Sequence, residues 1–141
     1  MILPDANLLL YSINIKTPLH RSAKAWLETT FSGPETVGFS WVSLLAFLRV
    51  STNPVFPHPL PVERAFKQLE RWLEQPTATI VYPGPHHARI LRELLLPLGT
   101  AGNLTSDAHL AALAIEHGAQ LCSADSDFAR FPGLKWTNPL A

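Results

Sequence analysis

The sequence predicts a single α/β domain in which a parallel sheet of four or five strands is covered by helices on both faces. Three observations lead there. Short apolar or β-branched runs (Met1 to Pro4, Thr36 to Phe39, Ala78 to Tyr82, Ala119 to Cys122) alternate with segments of helical period. The chain has 141 residues, the size of one ordinary domain, and neither internal repeats nor low-complexity stretches divide it. Finally, 47% of the residues are hydrophobic and 16% charged, which supports a compact core and leaves little for disorder.

Each element has a local reason. Met1 to Pro4 is short and apolar, as a buried strand requires, and Asp5 falls where that strand hands over to a helix starting near Ala6. Beyond the break at Asn14 to Pro18, a helix is expected from His20 to Phe31, with Ala23, Trp26 and Leu27 at i, i+3, i+4 spacing and Ser32-Gly33-Pro34 as its stop. Thr36 to Phe39 reads as a strand, and Ser40 as the cap of an apolar helix from Val42 to Val50. Asn53 to Pro61 holds four prolines and forms a surface connection. From Val62 to Glu74 an amphipathic helix gathers Ala65, Phe66, Leu69, Trp72 and Leu73 on one side. Ala78 to Tyr82 is a β-branched strand, and Pro85 opens a helix that extends through His86 to Leu96. The loop Leu98 to Asn103 leads into a helix capped by Asn103 or Thr105, carrying Asp107 in its first turn and ending at Gly118. A strand from Ala119 to Cys122 and a turn with Asp125 and Asp127 come next, then an edge strand from Leu134 to Trp136.

Composition excludes several classes. Formal net charge is zero with no Lys/Arg run, so there is no general polyanion-binding tail, and a nucleic acid would have to be recognised at a local site. Cys122 is the only cysteine; it cannot form an intramolecular disulfide, fits a reducing compartment, and reads as an inert core residue. The opening MILPDANLLLYS has neither a basic leader nor a small-residue cleavage site, and runs such as Val42 to Val50 are far too short for a bilayer. The expectation is a soluble, cytoplasmic protein with no membrane partner.

The chemistry lies with the aspartates. The chain has four, Asp5, Asp107, Asp125 and Asp127, and every one stands at the end of a strand or the start of a helix or turn. Taken singly, such residues are caps, dipole partners or turn formers. Taken together, Asp5, Asp107 and Asp125 fall where the carboxyl ends of parallel strands share a crevice. Like charges there repel unless a cation lies between them, and all-oxygen ligands suit Mg²⁺ or Mn²⁺, the ions of metal-dependent nucleases. Asn7 and Ser123 neighbour this site as auxiliary groups, with Asn7 equally able to bond the helix start. His109, two residues beyond Asp107, points away from it as a solvated or packed group, and His86 and His87 read as surface residues. Arg49, Arg89, Arg92, Arg130 and Lys135 read as solvated or locally paired, with RNA phosphate as the other role. Trp26, Trp41 and Trp72 fall on apolar faces and read as core or interface.

These residues also carry a resemblance. Asp5-Ala6-Asn7 followed by Leu8-Leu9-Leu10-Tyr11 resembles the opening motif of the PIN-domain ribonucleases. Asp107-Ala108-His109-Leu110-Ala111-Ala112 and Ser123-Ala124-Asp125-Ser126-Asp127-Phe128 resemble that family's third and fourth acidic motifs, in the manner of the VapC toxins of bacterial type II toxin–antitoxin pairs. The resemblance implies a three-layer α/β/α fold, Mg²⁺-dependent cleavage of RNA with Mn²⁺ as a substitute, a homodimer, and a cognate VapB-like antitoxin. It implies Asp5 and Asp107 as principal metal ligands, Asp125 as the fourth-motif carboxylate, and Asp127 as an auxiliary one. One departure stands out. The family's glutamate in the helix after the second strand is matched here by Ala46, and no carboxylate occurs between Glu35 and Glu63. That loss motivates a rival reading, a catalytically weakened PIN-like binding or regulatory module. A metal-dependent phosphatase or DNA nuclease on a similar acidic edge is a second rival, because residues name the chemistry and not the polymer.

Overall fold

The computed structural model describes residues 1–141 and has the expected α/β architecture. Strands β1 (Ile2–Pro4), β2 (Val37–Phe39), β3 (Ala78–Ile80), β4 (Gln120–Cys122) and β5 (Trp136–Thr137) form one sheet in the order β3-β2-β1-β4-β5, and every pair is parallel. Six helices accompany it: α1 (Ala6–Ile13), α2 (His20–Ser32), α3 (Trp41–Ser51), α4 (Val62–Leu73), α5 (His87–Leu95) and α6 (Thr105–His117). The chain builds outward from β1 through β2 to β3, then returns to place β4 on the other flank of β1. The strand order therefore reverses between β1 and β4, and the carboxyl ends of those two strands open a crevice.

Side-chain alternation divides the core into two layers. On one face Val37 and Phe39 meet Leu9, Leu27, Leu44, Phe47, Leu69 and Trp72, with Phe47 edge-on to Trp72 at 4.7 Å between ring centres. On the other face Leu3 and Leu121 meet α5 and α6 through Ile90, Leu94, Leu110 and Leu113, joined by Phe128. Gly38 lies on this second face because β2 passes close beneath Val81 and Met1. A Cβ there would stand 2.5 Å from Val81 Cγ2 and 3.0 Å from Met1 Sδ.

Ser40 caps α3 as its position predicts, its hydroxyl accepting from the Ser43 N–H at 3.2 Å. Gly118 ends α6 in the left-handed region at φ 62°, where a side chain is strained. Four expectations need correction. The cap of α6 is neither Asn103 nor Thr105: Leu104 holds that place without a side-chain bond, and the Thr105 hydroxyl donates backwards to the Gly102 carbonyl at 2.8 Å. Helix α5 begins at His87 rather than Pro85, because the Glu116 carboxylate accepts the Gly84 and His86 N–H groups, each at 2.8 Å, and fixes the preceding residues as a turn. The last strand is Trp136–Thr137, displaced from Leu134 because Leu121 and Cys122 set its register. Of the two readings of Trp41, core or interface, the first falls: it opens α3 and is 40% exposed. No helix is long and apolar enough to cross a membrane.

Candidate functional site

The site is assembled at the seam where β1 and β4 run side by side. Asp5 directly follows β1, its N–H donates to the Cys122 carbonyl at 2.9 Å, and its extended backbone starts α1. Its carboxylate is held at both oxygens. Oδ1 accepts the Ala6 N–H at 2.7 Å, and Oδ2 accepts the Ser123 hydroxyl at 2.8 Å.

Ser123, fully buried at the end of β4, is the hub of this network. Its Oγ donates to Asp5 and accepts from Asn7 Nδ2 and from the Asp125 N–H, both at 3.0 Å, so the hydroxyl's hydrogen-bonding capacity is filled. Asn7 Oδ1 accepts the Ala124 N–H at 3.3 Å. The amide of Asn7 therefore ties α1 to the loop after β4 instead of bonding the helix start. Trp136 Nε1 closes the seam on its far side by donating to the Ser123 carbonyl at 3.1 Å. Asp125 in turn caps the short 3₁₀ segment Ser126–Arg130 by accepting the Asp127 N–H at 2.9 Å.

Asp107 reaches the same crevice from the first turn of α6. Its position favours a negative charge, since the helix N-terminus exposes N–H groups that no side chain caps. Two forces oppose that. Burial, and after it the charges of Asp5, Asp125 and Asp127, hold the Asp107 carboxyl above the usual carboxylate range, with Arg130 offsetting part of the effect. Asp5 is raised as well, chiefly by burial and to a lesser degree by Asp125, while the bonds from Ser123 and Ala6 pull it down. Asp107 thus feels the charge of the other three aspartates.

The donor chemistry suits a hard divalent cation. All the groups are carboxylate oxygens, and a cation would favour the ionised form of Asp5 and Asp107, the two held above the usual carboxylate range by burial. No three His, Cys, Asp or Glu side chains close into a ready metal cage. Ala46 is half-buried on α3, whose first turn presents the bonded hydroxyls of Ser40 and Ser43 and no acid. The larger clefts of the molecule lie elsewhere, between α2 and α4 and between α5 and α6. An open acidic edge admits a polymer strand more readily than it encloses a small molecule.

Two sequence expectations about histidine are corrected or sharpened. His87 is buried rather than a surface residue, its Nε2 lying 2.9 Å from His109 Nδ1 with the rings edge-on at 4.7 Å. The packing of α5 on α6 creates this pair. Arg130 is the group whose place at the site the sequence left open. The signal for it is its spacing, three residues beyond Asp127 on a helical turn.

A model of the PIN domain matches residues 2–134. Ribonuclease VapC37 of Mycobacterium tuberculosis is 49% identical over 142 residues, covering 100% of this chain and 99% of the relative. Ribonuclease VapC33 of the same species is 45% identical, with 99% of each covered. Among solved structures, VapBC2 from Rickettsia felis bound to a promoter DNA fragment aligns with a TM-score of 0.72 at 24% identity over 98% of each chain. VapC20 of M. tuberculosis, described as a Sarcin-Ricin loop cleaving toxin, aligns at 0.68 and 17% identity over 96% of this chain and 99% of that one. These structural likenesses speak to the three-layer α/β/α fold.

Proposed function

The chain belongs to the PIN domain family, and on that premise we propose that it is a VapC-type ribonuclease, the toxin of a type II toxin–antitoxin pair. It hydrolyses RNA phosphodiester bonds with Mg²⁺, for which Mn²⁺ substitutes, works as a homodimer in the cytoplasm, and is restrained by a VapB-like antitoxin. The observation that supports this reading is the placing of Asp5, Asp107 and Asp125 at one edge of the sheet, where burial and then the neighbouring aspartate charges hold the Asp5 and Asp107 carboxyls above the usual range. Support for the polymer comes from relatives named ribonucleases along the whole chain.

Asp5, Asp107 and Asp125 would hold the ion, with Asp127 as the outlying carboxylate. When bound, the ion supplies positive charge that acidifies water and offsets charge growing on the phosphate. The protein's own work is positional. Ser123 and the Ala6 N–H fix the Asp5 carboxylate, Asn7 fixes the loop bearing Asp125, and α6 presents Asp107 with its dipole behind it.

Asp5→Asn and Asp107→Asn should each abolish RNA cleavage and growth arrest while leaving the circular dichroism spectrum unchanged. Toxicity retained in either variant overturns the assignment. Ala46 favours a second reading, in which one fewer carboxylate leaves the ion weakly held and the chain binds RNA without cutting it. A calorimetric Mn²⁺ titration showing no uptake, with RNA bound but intact, selects that alternative.

A further inference from the structure

We propose that Arg130 contacts a phosphate of the RNA strand at this site, and that Asp127 serves as a positioning residue for Arg130 instead of a metal ligand; the inference rests on the ribonuclease reading above. Arg130 ends the 3₁₀ segment that Asp125 caps, so its backbone is fixed relative to the site. Its Nε donates to the Asp127 carbonyl at 3.0 Å, and its Nη2 lies 3.2 Å from Asp127 Oδ1. Two contacts to one residue hold the guanidinium plane. They occupy only part of its five N–H donors, and the side chain is 37% exposed. Arg130 is also the cation felt at Asp107, where every other charged influence is a carboxylate.

That arrangement answers a difficulty of the acidic edge. A phosphodiester is an anion, and four aspartates repel it. A fixed guanidinium fork beside them gives one phosphate a charge-assisted partner of matching geometry. Asp127 is the aspartate least suited to the ion: its side chain is 58% exposed, and its nearest charged partner is Arg130. A divalent ion on Asp127 would be placed against the guanidinium, like charge against like.

The test uses the full-length chain, a fluorescein-labelled single-stranded RNA oligonucleotide and anisotropy in chelator, so that binding is read without cleavage. Arg130→Ala should weaken RNA binding about tenfold, the scale of one hydrogen bond to a charged group, and reduce the salt slope by roughly 0.7. Arg130→Lys should restore the slope but only part of the affinity. Asp127→Asn should weaken RNA binding while Mn²⁺ affinity, measured by calorimetry, stays at the parent value. Unchanged RNA binding and slope in Arg130→Ala overturn the proposal, as does an absence of RNA binding by the parent chain. A fall in Mn²⁺ affinity in Asp127→Asn returns Asp127 to the ion. If the parent takes up no Mn²⁺ and leaves RNA intact, the ribonuclease reading fails, whereas the anisotropy series still decides the role of Arg130.

Discussion

Replacing Ser123 by Ala removes one oxygen and strands three groups. The Asp5 carboxylate loses a 2.8 Å donor, and Asn7 Nδ2 and the Asp125 N–H each lose a 3.0 Å acceptor. The hydroxyl is fully buried, so water does not readily replace it. A bond to a charged group contributes about 2 kcal/mol and each neutral one about 1 kcal/mol at most sites, and the partly buried partners recover some solvation, so the expected loss is about 3 kcal/mol. For a chain of this size that corresponds to a fall in Tm of roughly 10 °C. The substitution also removes an influence that pulls the Asp5 pKa down, so the pH at which Mn²⁺ begins to bind should move upward. Thermal melts and Mn²⁺ calorimetry across pH read the two effects separately. In an Asp5→Asn background, the cost of Ser123→Ala should shrink as the charged part of the interaction disappears. A Ser123→Ala protein with the parent's Tm and the parent's pH profile for Mn²⁺ would refute the network as the device that holds Asp5.

Gly38→Ala should destabilise by about 1–3 kcal/mol, because the new methyl meets Val81 at 2.5 Å within a packed layer, and trimming Val81 to Ala in the same chain should recover part of the loss in a urea melt. Phe47→Ala empties a fully buried site and removes the edge-on contact with Trp72, at a cost of about 3–5 kcal/mol, read from denaturant midpoints. Since burial raises both Asp5 and Asp107, the folded chain holds their protons more tightly than the unfolded chain. Stability from these two groups therefore falls as pH rises from the ordinary carboxylate range through the raised values. A divalent ion competes with those protons, so the rise in Tm on adding Mn²⁺ should grow between about pH 4 and about pH 7, and a constant or shrinking increment would contradict it.

What could be read from the sequence was what is local or forced by topology. Met1 to Pro4 is apolar and short, so Asp5 had to stand at a strand's carboxyl end; Gly118 ends α6, so Asp107 had to stand at the opposite end of that helix, on the same edge. What escaped depended on partners far apart in the chain. The burial of His87 needs His109, 22 residues on, and the start of α5 needs Glu116, 30 residues beyond His86. The second bond of Asn7 could not be chosen from its neighbours because its partner, Ser123, is 116 positions away. Trp41 was open for a local reason: an aromatic at the start of an apolar helix suits core or interface, and at the first position of α3 it is 40% exposed.

The seam between β1 and β4 joins residues 118 positions apart, and that interval is also an interval of synthesis. A ribosome making this polypeptide emits Asp5 118 residues before Ser123. A nascent chain cut short before Cys122 lacks β4, Ser123 and the carboxylates that follow. In such a product the Asp5 carboxylate lacks its buried hydroxyl donor, so the network that holds it closes only after β4 has been made.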